Sequence, residues 1–117
     1  MKKIISVDFD GTLCENKYPN IGLPNKRLIS YLINCRKCGI KVILNTMREG
    51  ELLEQALDFC QKYGLEFDAV NDNLEEEIAF YGNNPRKIYA DWYVDDHNAA
   101  IKGNGSPLPD LAKYMKE

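Results

Sequence analysis

The stretch Val7–Leu13, VDFDGTL, sets Asp8 and Asp10 two positions apart at the end of an apolar run, with Gly11 and Thr12 following at once. The preceding residues, KIISV, are rich in β-branched side chains and predict a strand that ends at Asp8. Two carboxylates at such range repel unless a positive group sits between them or they do chemical work. Taken alone the pair can be a turn, since Asp-Gly is common turn chemistry. The rest of the chain has to supply a stronger reason.

Outward from this stretch, apolar runs alternate with amphipathic segments. NKRLISYLINCRKCG carries Leu28, Leu32 and Cys35 at helical spacing, with Pro24 before it and Gly39 closing it. IKVILN is a second buried-looking strand. EGELLEQALDFCQKYG is the clearest helix, with Leu53, Ala56, Leu57 and Cys60 on one face and Gly64 at its end. FDAV and WYV are further strand candidates, and NLEEEIAFYG reads as a brief helix capped by Asn73. KGNGSPLP reads as a loop leading to a final short helix with Leu111 and Met115 on one side. This alternation predicts an α/β protein: a three-layer α/β/α, Rossmann-like fold with a central parallel sheet, one domain spanning residues 1–117.

Composition is that of a globular chain, and the formal net charge of -3 implies no general affinity for nucleic acid. No apolar run reaches membrane-spanning length, and MKKIISVDF lacks the apolar stretch and cleavage site of a signal peptide. A cytoplasmic location without a membrane partner is the expectation. Cys35 and Cys38 form a C-x-x-C, but Cys14 and Cys60 have no close Cys or His partner in sequence to complete a zinc site. Reduced thiols on and near a helix face are the simpler reading.

Each predicted strand finishes in polar side chains: Asp8 and Asp10, then Asn45 and Thr46, then Asn71, then Asp95 and Asp96. In open α/β sheets the ligand crevice lies beyond the carboxyl ends of the strands, so these residues are expected to converge. Four carboxylates there call for a divalent cation, and all-oxygen ligands suit Mg²⁺. Asp8 and one of Asp95 or Asp96 would grip it, with the Asp10 backbone carbonyl in reach. A phosphate would then be held by the metal, Lys87, the Thr46 hydroxyl and backbone amides. Asp8 can attack phosphorus, and Asp10 can supply and recover the proton. Gly11 allows the chain to turn beside the substrate, and Arg48 stands near the mouth as a further substrate contact.

At these residues the chain resembles the haloacid-dehalogenase-like (HAD) phosphatase superfamily. DFDGTL looks like its first motif, which implies Asp8 as nucleophile and Asp10 as acid/base. VILNTMREG looks like the second and puts Thr46 on the phosphate. Lys87 in PRKIYAD resembles the third-motif lysine, and WYVDD the fourth motif, with Asp95 and Asp96 on Mg²⁺. The short segments between motifs leave no room for a cap domain. A capless site is open, suited to a phosphorylated small molecule or a nucleic-acid end, or closed by a second copy of the chain.

Plainer roles exist for several of these residues. Lys87 can be a surface lysine, Asp95 and Asp96 can cap a helix, and Arg48 can form a salt bridge with a glutamate. His97 can be a local hydrogen-bonder or a substrate contact, Tyr18 and Glu15 exposed loop residues or a lining of the entrance, and Trp92 and Tyr93 strand packing rather than a base-stacking platform. Two rival functions also stand beside the phosphatase. A phospho-aspartate receiver module shares the residue types, but needs its acceptor on a middle strand, where this chain has Thr46. A catalytically silent binding protein of the same fold is the other.

Overall fold

The computed structural model describes residues 3–85 and 87–95, together with the backbone of 102–103 and 106–107. Four strands form a parallel sheet: β1 (Ile4–Val7), β4 (Lys41–Leu44), β5 (Ala69–Val70) and β6 (Trp92–Val94), in the order β5-β4-β1-β6. Three helices flank it: α1 (Lys26–Lys37), α2 (Gly50–Lys62) and α3 (Glu75–Tyr81). This is the expected α/β, Rossmann-like arrangement. The chain winds outward from β1 through β4 to β5, then crosses back to place β6 on the other side of β1.

The strands are short and almost wholly apolar because both faces are covered. Ile5, Val7, Val42 and Leu44 point to one side and pack with Leu28, Leu32 and Cys35 of α1 and Ala56 and Cys60 of α2. Ile4 and Ile43 point to the other and meet Leu74 and Ala90. The split arises from the two-residue period of a strand. Cys35 and Cys60 act as small apolar core residues, and burial pushes their thiols up to about 11 and about 12 respectively. All four cysteines are free.

Local signals place α1 and α2 as the sequence predicts. The Asn25 side chain caps α1 by accepting from the Leu28 N–H at 3.2 Å. Gly39 and Gly64, both at positive φ, come directly after the two helix ends.

Two regions differ from expectation. Residues after Asp10 are not a plain loop: β2 (Cys14–Lys17) and β3 (Asn20–Pro24) form an antiparallel hairpin. Its strands are mostly exposed, so they carry no alternating apolar pattern to betray them. Gly22 is needed there because a Cβ would lie 2.6 Å from the Glu15 Cβ across the ribbon. Asn73 does not cap α3, whose N-cap is Leu74. Instead Asn73 is buried and staples the returning chain, donating to the Asn84 side chain and the Pro85 carbonyl and accepting from the Tyr89 N–H at 2.8 Å. In the last part of the chain β7 (Lys102–Gly103) and β8 (Ser106–Pro107) pair antiparallel where a loop is predicted. The predicted final helix, with Leu111 and Met115, lies outside the described residues. Among the described residues no helix is long and apolar enough to cross a membrane.

At the amino end of the sheet, Asp68 accepts from the Val42 N–H at 2.7 Å and from both Nε and Nη2 of Arg36. Burial pushes this carboxyl up, but the Arg36 and Val42 hydrogen bonds outweigh it and the net shift is downward. A lowered native pKa means stability that is present above the ordinary value of 3.8 and lost as pH falls below it. Asp68→Asn is therefore expected to lower stability at neutral pH, measured by urea unfolding. The gap between variant and wild type should close below about pH 4; a gap independent of pH would remove the ionised Asp68 as its cause.

Candidate active site

The sheet reverses its winding direction between β1 and β6, and ligand crevices of open α/β sheets lie at such a point. Asp8 leaves the end of β1 and Asp95 the end of β6, strands held in register by the pair Val7 and Val94. The Asp8 N–H donates to the Val94 carbonyl at 2.9 Å, and the Asn45 N–H to the Val7 carbonyl at 2.9 Å. Three neighbouring strand ends are thereby brought level. Asp8, Asp95, Asn45 and Thr46 line one open recess of about 240 Å³, with Ser6, Met47, Tyr93 and Val94 completing it.

Backbone groups hold these side chains in place. One Asp8 carboxylate oxygen accepts from the Phe9 N–H at 2.8 Å. The Thr46 N–H donates to Asn71 Oδ1 at 2.7 Å, with Asn71 itself in the left-handed region at φ 53°. The Thr46 hydroxyl accepts from the Arg48 N–H at 3.1 Å, which leaves its own proton to donate elsewhere. Gly11 turns at φ 80°, a conformation that other residues adopt at a cost, so the chain can reverse directly after Asp10.

Arg48 stands elsewhere than the expectation of a substrate contact. Its side chain has no exposed surface. Nε and Nη2 donate to the two oxygens of Asp10, each at 2.8 Å. The remaining donors reach the carbonyls of Pro19, Asn20 and Leu52. The guanidinium lies 5.1 Å from the ring centres of both Phe9 and Tyr18. Hydrogen bonding to Asp10 outweighs burial and holds the guanidinium above its ordinary range, so it stays charged. The donors that would have met a phosphate are spent inside the protein, and Asp10 presents both oxygens to Arg48.

Lys87 is not among the residues lining the recess. It is exposed, on the segment whose backbone Asn73 holds, and its own carbonyl accepts from Asn73 at 3.4 Å. Asp96 and His97 lie outside the described residues. Met47, 96% exposed and at the rim, is a lining residue that sequence reading passes over, because an apolar side chain in a polar loop has no pattern around it. Tyr93 serves chiefly as a strut: its hydroxyl donates to the Ile88 carbonyl at 2.8 Å and accepts from the Ala90 N–H.

Among the described residues no group of three or more His, Cys, Asp or Glu converges. The recess is lined by two carboxylates, an amide and the hydroxyl residues Ser6, Thr46 and Tyr93, all with oxygen donors of the kind a hard divalent cation takes. Such a cation fits this donor set.

Fold and recess together define a Rossmann-like α/β protein with an acidic mouth at its switch point. The chain is similar to the structure of a conserved protein coded by a locus of Bacteroides thetaiotaomicron. The two share 34% identity, covering 100% of this chain and 94% of the other, with a TM-score of 0.74. At that identity over that length, the chain belongs to the family of this conserved Bacteroides protein. No protein-family model matches the chain, and no curated protein does.

Arg48→Ala is expected to destabilise the fold by roughly 3–5 kcal/mol, because it strands Asp10 without its partner and empties a filled site. Equilibrium urea unfolding measures the effect. A loss below about 1 kcal/mol, the range of an exposed ion pair, would show that the clasp contributes little.

Proposed function

We propose that the protein is a Mg²⁺-dependent phosphohydrolase of the capless HAD-like type, acting on a phosphomonoester through an aspartyl-phosphate at Asp8. The observation that carries this reading is the shared recess of Asp8, Asp95 and Thr46, drawn from three adjacent strand ends at the switch point. Asp8 and Asp95 would hold the metal, with Asp96 and the Asp10 carbonyl as further ligands. When bound, Mg²⁺ offsets the repulsion between these acids and the phosphate and polarises the phosphoryl group.

The chain's own residues do the rest. One oxygen of Asp8 attacks phosphorus while the bond to the leaving oxygen breaks. The Phe9 N–H holds the other oxygen and fixes the carboxylate plane. The Thr46 hydroxyl donates to a phosphoryl oxygen. Asp10 gives a proton to the leaving group and later takes one from the water that releases phosphate from Asp8. For this Asp10 has to free one of the two oxygens that Arg48 holds. Arg48 thus acts through Asp10, as a positioning residue. Lys87 has no part in this version of the site. The open mouth suits a phosphorylated small molecule or the phosphorylated end of a nucleic acid.

A second reading has a specific observation in its favour. With Lys87 outside the recess and Asp10 paired through both oxygens, the fold is also suited to hold a phosphorylated ligand without turning it over. Hydrolysis of para-nitrophenyl phosphate separates the two. Turnover is expected with Mg²⁺, is expected to vanish with EDTA, and should fall by about 10³-fold or more in Asp8→Asn. Unchanged turnover in that variant would remove Asp8 as nucleophile. Saturable binding of phosphorylated ligands with no turnover of a broad panel would favour the silent reading.

A further inference from the structure

A second recess lies away from the mouth, around α3 and the chain that returns from it. Asn73, Glu77, Ile78, Tyr81, Asn83, Pro85 and Tyr89 enclose about 160 Å³. Glu77 is 6% exposed as a whole, yet its carboxylate oxygens are not among the buried polar atoms that lack a partner, so they keep contact with water at the recess. Among the described residues, no hydrogen bond or ion pair reaches its carboxylate. The nearby Asn73 amide is fully engaged with the 84–89 segment, and the Tyr89 hydroxyl donates to Asp91 at 3.0 Å. A carboxylate that opens on a recess without a protein partner favours a positive group there.

The walls indicate what kind of cation fits. Tyr81 and Tyr89 are 60% and 51% exposed and so present ring surface to a ligand. Ile78 and Pro85 add apolar surface. Aromatic faces beside an acid attract an organic cation, whereas a bare metal ion would want several oxygen ligands. The volume admits a charged head on a short apolar stem and is small for a nucleotide.

We propose that this recess is a binding site for an alkylammonium or alkylguanidinium group, with the cation on the Glu77 carboxylate and its stem against Tyr81, Ile78 and Tyr89. The group can belong to a free amine or to a lysine or arginine side chain of a partner protein. The site stands on its own residues and is independent of the phosphatase reading.

The test is a titration followed by NMR chemical shifts of the full chain, with n-butylammonium as probe and n-butanol as its neutral counterpart. Saturable shifts at Ile78, Tyr81 and Tyr89 are expected with the cation, and weak, unsaturated ones with the alcohol. Glu77→Gln should weaken the cation by about tenfold or more. Tyr81→Leu, at an exposed position that does not threaten folding, should weaken it by about two- to fivefold. Equal response to cation and alcohol, or undiminished binding in both variants, would overturn the proposal. In a parallel arm, a short lysine-containing peptide that binds more tightly than butylammonium assigns the site to a protein partner. Equal affinity assigns it to free amines.

Discussion

A guanidinium cut off from water holds the front of this molecule together. Arg48 places its charge against both oxygens of Asp10, its remaining donors against three backbone carbonyls, and its flat faces near two rings. Burying such a charge costs several kcal/mol unless nearly every donor finds an acceptor. Here the acceptors come from the turn after β1, the tip of the β2–β3 hairpin and the first turn of α2. The first two adjoin in sequence and are bridged at Asp10 and Cys14, whereas α2 follows only after α1 and β4. A lysine has a single ammonium and no planar fork, so it cannot span them in this way. The arrangement also links the clasp to the recess, because the Arg48 N–H orients the Thr46 hydroxyl.

The recess itself is a product of strand order. With β1 between β4 and β6, three strand ends that point the same way lie side by side. Apolar residues fill the strands up to their last positions, and polar ones begin where water does. Asp8 and Asp95 are thereby set at the boundary between core and solvent. There a carboxylate keeps part of its hydration and still faces a partially shielded space. Phosphoryl chemistry and divalent cations both favour such a setting.

The two faces of the sheet are built differently. Two long amphipathic helices cover one face with a continuous core. The other is covered by Leu74 and the 88–90 segment, and its integrity rests on a buried amide, Asn73, that gathers a returning loop. A side chain that reaches across so many residues leaves its signature in no local pattern. The same construction produces the Glu77 recess, since a loop tied at one point leaves space beside it.

Much of this protein was legible along the chain. The apolar strands, the helices from Lys26 and from Gly50, and the polar residue at each strand end are local properties, governed by periodicity and by the change from apolar to polar at the edge of the core. Asp8, Thr46 and Asp95 could be placed at one mouth because parallel strands with crossover helices leave few other windings. Tertiary structure alone decided the rest. Arg48 beside Thr46 reads as a mouth residue, yet a side chain of that length can turn inward once Phe9, Asp10 and Tyr18 supply a pocket for it. Lys87 reads as a site lysine from the resemblance of PRKIYAD to a third motif, but Asn73 fixes the course of that segment. The exposed hairpin has no buried face to give it a period. Local sequence determines which residues are apolar, helical or turning; whether a charge faces water, a ligand or another charge depends on neighbours that only folding brings near.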